Sequence, residues 1–145
     1  MRSQDASALL RTTDLFAGLD DETAAQLAKQ MVTRNYRKGQ PLVHQGDAGT
    51  ALFVIVDGSV AVYVTSENGD RMTLNTLGPT DVLGEIALLD NGPRTATVTV
   101  TQPARALVLG PSQFRDVLHQ NAEIAVSMLY SVVQRLRAGS HLPHG

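Results

Sequence analysis

An arginine and a glutamate nine positions apart carry the most distinctive chemistry in this chain. They lie within Leu83-Gly84-Glu85-Ile86-Ala87-Leu88-Leu89, Asp90-Asn91-Gly92 and Pro93-Arg94-Thr95-Ala96-Thr97-Val98. Arg94 offers a planar fork of donors that suits a phosphate. The Gly-Glu-Ile-Ala start opens a short apolar turn whose free backbone N–H groups suit the same anion. Glu85 is an acceptor for hydroxyl groups. The combination suggests an anionic ligand that also carries hydroxyls.

The remaining sequence must position that segment. With 145 residues the chain is long enough for one domain with its own core. Hydrophobic residues make up 43%, charged residues 18%, and the net charge is −2, so no broad basic excess points to nucleic acid. There is no cysteine, which excludes a disulfide framework and a thiolate metal site. The apolar runs are far shorter than the roughly 20 residues of a membrane span. The N-terminus lacks the apolar core of a signal peptide, and a cytoplasmic setting is expected.

Taken in order, Ser7 to Arg11 reads as a short helix with Leu9 and Leu10 inward. Asp20 is an N-cap for a helix to about Gln30, buried through Ala24, Leu27, Ala28 and Met31. The period then changes to two. Val32, Arg34 and Tyr36 alternate, Pro41 to His44 is a short strand, and Ala51 to Val56 is strongly β. Asp57-Gly58 is read as a two-residue hairpin turn before Ser59 to Thr65. Glu67-Asn68-Gly69-Asp70 is a second hairpin turn, followed by Arg71 to Leu77. Thr95 to Thr101 and Ala104 to Leu109 complete the strands. Ser112 is taken as the cap of Gln113 to His119, and Asn121 as the cap of a helix from Ala122 to about Ala138. Ala125, Leu129, Val132 and Leu136 fall on one stripe of it. Short strands at this spacing predict a mainly β fold, a sandwich or jelly roll, flanked by helices at both ends.

The segment resembles the phosphate-binding cassette of cyclic nucleotide-binding domains, the modules of the catabolite-activator family, cyclic-nucleotide-dependent kinases and cyclic-nucleotide-gated channels. The matching positions are Gly84, Glu85, Ile86, Ala87, Leu88, Pro93, Arg94, Thr95, Ala96, Thr97 and Val98; Leu83 departs where the family often has Phe. Leu15 to Asp20 and His44-Gln45-Gly46-Asp47 with Asp57-Gly58-Ser59-Val60 extend the likeness to roughly residues 8–140. The resemblance implies a β-roll (double-stranded β-helix) with N-terminal helices and two C-terminal helices. The domain is expected over residues 1–138, with 139–145 a flexible tail.

By the same resemblance Arg94 binds the cyclic phosphate, Glu85 the ribose 2′-OH, and Gly84, Ile86 and Ala87 act through their backbone. Small Ala96 lets the strand approach the phosphate. A Thr at the position of Thr95 can bond both the phosphate and the guanine amino group and occurs in binders of either nucleotide; cAMP is the expected ligand and cGMP the alternative. The last helix is the lid: Val132 and Leu136 could cover the purine, Arg135 could reach Glu85, and Ser140 falls near a position that supplies a hydroxyl to adenine. The plainer readings are a turn-capping Arg94, a surface Glu85, a β-forming Thr95, a packing Ala96, and lid residues that only pack or face solvent.

Signalling by binding without catalysis is therefore expected, with no cofactor and a separate effector protein or domain as partner. The catabolite activators continue into a helix-turn-helix domain. Here the sequence ends soon after its last helix, so direct DNA binding is not expected, and a monomer or weak homodimer is. His44, His119, His141 and His144 match no compact metal site. No nucleophile elbow or P-loop lysine motif occurs. An orphan β-roll acting as an interaction module and a hydrolase of the cyclic phosphate are the competing readings; the hydrolase would require a metal cluster or general base.

Overall fold

The computed structural model describes residues 3–43, 46, 51–83 and 96–137, without the side chains of residues 3, 131, 132, 135 and 136. Two helices come first, α1 (Ser3–Thr12) and α2 (Asp21–Lys29). Six strands follow: β1 (Val32–Tyr36), β2 (Pro41–Val43), β3 (Leu52–Thr65), β4 (Arg71–Leu77), β5 (Val82–Leu83) and β6 (Thr97–Leu109). Helices α3 (Pro111–Gln120) and α4 (Ala122–Arg137) close the described chain. Among the described residues the strand pairings are antiparallel, in the order β1-β6-β3-β4, with β2 also on β6 and β5 on β3. The mainly β reading with helices at both ends holds.

The run Leu52-Phe53-Val54-Ile55 explains how helices and roll are joined. All four side chains are buried, in alternation. Leu52 and Val54 pack with the helices, beside Leu10, Phe16, Leu27, Ile124 and Met128. Phe53 and Ile55 pack inside the roll, with Val60, Val62, Leu83 and Val98. On β6, Leu107 and Leu109 join the helical cluster, whereas Ala104 and Ala106 join the roll. A strand covered on both faces has no polar side, so an unbroken apolar run is what it needs.

Several local readings hold. Asp20 caps α2, its Oδ1 accepting from Thr23 N at 2.8 Å. A hydrogen bond from the Thr23 side chain, and after it this backbone bond, hold its carboxyl below the usual carboxylate range. A depressed folded-state pKa means the stabilisation is present above the unfolded pKa and lost as pH falls through the folded value. Asp20→Ala is therefore expected to lower the melting temperature at neutral pH and to converge on the wild type in acid, as thermal melts would record. The turn at Gly69 closes β3 onto β4, with Ser66 N donating to Asp70 O at 2.8 Å and Gly69 at φ +87°.

Four readings are corrected. Asp57-Gly58 is not a hairpin: β3 runs through it from Leu52 to Thr65, and it forms an irregularity against β6. Gly58 has φ +86°, and a Cβ there would lie 2.3 Å from Pro103 O. Asp57 meanwhile accepts from Arg105 N at 3.2 Å and Arg105 Nε at 2.8 Å. Second, β6 is continuous through Gln102-Pro103, because Pro103, which has no N–H, sits where the register slips. Third, α3 begins at Pro111 with Gly110 as its N-cap, not at Ser112. Proline is preorganised for the first helical position and so advances the start. Fourth, α1 begins at Ser3, and buried Ala6 extends its inner face.

Helix α4 also turns differently from the stripe read off the sequence. Ala125 and Leu129 are exposed, and the buried residues are Ile124 and Met128. Ser127 Oγ donates to Leu15 O at 2.9 Å, tying α4 to the segment between α1 and α2. Asn121 Nδ2 donates to Gln26 Oε1 at 2.8 Å at the α3–α4 joint. Met128→Ala would leave a cavity among the helices and is expected to cost about 2–5 kcal/mol, measured as a lower urea midpoint.

Candidate functional site

The roll holds the two ends of the candidate segment. Leu83, the last residue of β5, pairs with Phe53 on β3 and is buried. Ala96 is buried in the same cluster, and the strand that follows pairs Val98 with both Val43 and Val62. The twelve intervening positions are thus tethered at both ends to one apolar core. Gly84, Glu85, Ile86, Ala87, Arg94 and Thr95 lie outside the described residues, as does Ser140. For Val132, Arg135 and Leu136 the helical backbone of α4 is described and the side chain is not. Of the predicted set, Ala96 alone has a described side chain, and it packs with Val98, Val43 and Phe53.

A further feature lies on β4. Of the three large apolar residues of β4, Leu77 is buried, whereas Met72 and Leu74 are 60% and 43% exposed. Met72 stands opposite Val64, which packs against the roll interior. Leu74 sits where the β3–β4 register slips between Val62 and Tyr63. On the same hairpin Arg71 lies 4.5 Å from the Tyr63 ring centroid, so its cation is placed over an aromatic face. The signal available in the sequence was alternation at 72 and 74; what no local pattern could tell is that this face is open.

Among the described residues there is no group of three or more metal-ligating side chains. No described helix is long and apolar enough to cross a membrane. His119 is exposed on α3.

The sequence profile of the cyclic nucleotide-binding domain matches residues 33–121, more than half of the chain. The chain belongs to the cyclic nucleotide-binding domain family. It is 28% identical over 129 residues to the CRP-like cAMP-activated global transcriptional regulator of Mycobacterium tuberculosis, covering 89% of this chain and 58% of that protein. Its fold is similar to the N-terminal domain of a transcriptional regulator from Streptomyces coelicolor A3(2), with a TM-score of 0.81, 38% identity, and coverage of 90% of this chain and 92% of that one. It is also similar to the regulatory domain of Toxoplasma gondii PKA solved with cAMP, with a TM-score of 0.74, 28% identity, and coverage of 79% and 44%. The chain therefore spans well under two thirds of the length of the M. tuberculosis regulator.

As a member of this family the chain has the β-roll fold of a cyclic nucleotide-binding domain.

Proposed function

We propose that this domain is a sensor for cAMP, with cGMP as a weaker competitor. Arg94 binds the cyclic phosphate, aided by the backbone of Gly84, Ile86 and Ala87, and Glu85 accepts from the ribose hydroxyl. Thr95 adds a hydroxyl to the phosphate, and Ala96 keeps the start of β6 close to it. The observation that carries this reading is the cassette motif at positions where the roll grips both flanks, Leu83 and Ala96 being buried in one cluster. Met72 and Leu74 add an apolar floor for the purine, because exposed apolar area on a polar strand gains by being covered. No catalytic step is required of any residue.

The output in this reading is movement of α4. Its first half is docked through Ile124, Ser127 and Met128. Val132, Arg135, Leu136 and Ser140 follow, and they fold over the base when the ligand is bound. A ligand shifts such an equilibrium only by its differential affinity for the two states.

Thermal melts with cAMP, cGMP and 5′-AMP test the proposal, together with hydrogen exchange along α4. At a hundredfold excess over Kd a ligand of the folded state adds about 2.7 kcal/mol. The expected result is a large upward shift with cAMP, a smaller one with cGMP and none with 5′-AMP, together with slower exchange from residue 130 onward. Equal shifts with all three would contradict recognition of the cyclic phosphate. The nucleotide recovered after incubation is expected to be intact; formation of 5′-AMP would favour a hydrolase.

One observation favours a second reading, a protein-interaction module. Val126, Leu129, Tyr130 and Val133 form an exposed apolar row on α4, with exposures of 63%, 66%, 67% and 39%. A weak homodimer or an effector would cover it. In this reading Leu129→Asp abolishes any self-association seen by sedimentation equilibrium and leaves nucleotide binding intact.

A further inference from the structure

A cavity of about 460 Å³ opens beside β1, at the end of β6 remote from Ala96. Val32, Arg34 and Tyr36 line it from β1, Phe53 and Val108 from the adjoining strands, and Gln113 from α3. Alternate residues of a strand share a face. β1 therefore presents an apolar group, a cation and a phenol in a row. Phe53 is 5% exposed and forms a closed apolar floor, while Val32 is 55% exposed and leaves an apolar wall uncovered.

Arg34 is the charged residue among the described residues that line this cavity. Among the described residues that line it none is Asp or Glu, although the whole chain has a net charge of −2. Among the described residues the ion pairs are Arg11–Asp21 and Arg105–Asp57, and Arg34 takes part in neither. Burial pushes the Tyr36 phenol above its ordinary value, so at neutral pH it remains a hydrogen-bond donor. Gly110 and Gln113 bring the first turn of α3 to the rim, and no side chain caps that turn. Its positive end adds to the potential of Arg34. Donors on two sides of an apolar floor are the usual composition of a small-molecule site.

We propose that this cavity is a second ligand site, distinct from the nucleotide cassette, for a small carboxylate with an apolar body. The guanidinium of Arg34 takes the carboxylate, the Tyr36 hydroxyl supplies a second donor, and the apolar body covers Phe53, Val108 and Val32. Neither Leu83 nor Ala96, the described residues that flank the cassette, lines this cavity, and the site is argued from β1, Phe53, Val108 and α3 alone.

The test is an amide chemical-shift titration of the full 145-residue chain with octanoate, octanol and inorganic phosphate. Octanoate is expected to give saturable shifts at Val32, Tyr36, Gly110 and Gln113, unchanged by saturating cAMP. Octanol and phosphate are each expected to bind at least about tenfold more weakly, a difference of about 1.4 kcal/mol. Arg34→Gln should give the same tenfold loss with an unchanged melting temperature, and Tyr36→Phe a smaller loss. The proposal is overturned if octanol equals octanoate, if phosphate alone equals it, if cAMP displaces it, or if the shifts fall instead on Leu129 and Tyr130.

Discussion

Replacing Gly58 by alanine is expected to destabilise the fold by about 2–5 kcal/mol, read as a lower urea midpoint at unchanged m-value. Two costs combine. Gly58 has φ +86°, in the left-handed region. A Cβ there costs roughly 1–2 kcal/mol. The added methyl would also meet Pro103 O at 2.3 Å and Ala104 Cα at 2.5 Å, and these are backbone atoms of β6, not the tip of a movable side chain. Forcing such an overlap in a packed region typically costs a further 1–3 kcal/mol. Gly69→Ala separates the two terms. Gly69 has nearly the same angle, φ +87°, but nothing lies within 4 Å of its Cβ position. It should therefore lose only the conformational part, about 1–2 kcal/mol. Equal losses at the two positions would show that the β3–β6 approach at Gly58 is not tight.

The second large effect concerns ligand. Arg94→Ala is expected to weaken cAMP binding by tenfold or more while leaving the melting temperature of the free domain nearly unchanged. A charge-assisted hydrogen bond is worth on the order of 1.5–3 kcal/mol, and every 1.4 kcal/mol is about tenfold in Kd. Arg94→Lys should recover only part of the loss, because a single ammonium cannot present two parallel donors to a phosphate. A loss of folded-state stability as large as the loss of affinity would assign Arg94 a turn-capping role in place of ligand binding.

The contrast between Gly58 and Gly69 also explains what was legible beforehand. Asn68-Gly69 and Asp57-Gly58 give the same local signal, a polar residue and a glycine between β-formers. At Gly69 the chain reverses and pairs with itself. At Gly58 the partner is β6, some 45 residues further on, pairing Asp57 with Arg105 and Ser59 with Gln102. A short-range pattern cannot distinguish a turn from an irregularity whose cause is a distant strand. The same limit explains α4. Its sequence is apolar on more than one side, with Ile124 and Met128 buried but Val126, Leu129 and Tyr130 exposed. Periodicity alone therefore selected a stripe whose described side chains, Ala125 and Leu129, are exposed. Where a local interaction decides the outcome, the reading held, as with the Asp20 cap on Thr23. The start of α3 was misplaced because Ser112 is a good cap by type, whereas Pro111 ahead of it fixes the first helical position.

The candidate site rests on a different kind of signal, the motif of Gly84, Glu85, Arg94 and Thr95, whose residue types suit a ligand with a phosphate and hydroxyls. Its supporting frame was legible only in part. That Leu83 and Ala96 return to one cluster depends on pairings from β3 and β6 that no local rule supplies. The exposed pair Met72 and Leu74 also needed the fold.

The most direct test is a calorimetric titration of the chain with cAMP, run beside cGMP and beside the Arg94→Ala variant. The account predicts one saturable cAMP site per chain, weaker binding of cGMP at the same site, and at least a tenfold loss in the variant. No heat and no thermal shift with either nucleotide, on a protein that melts cooperatively, would contradict it and would turn attention to protein partners of α4.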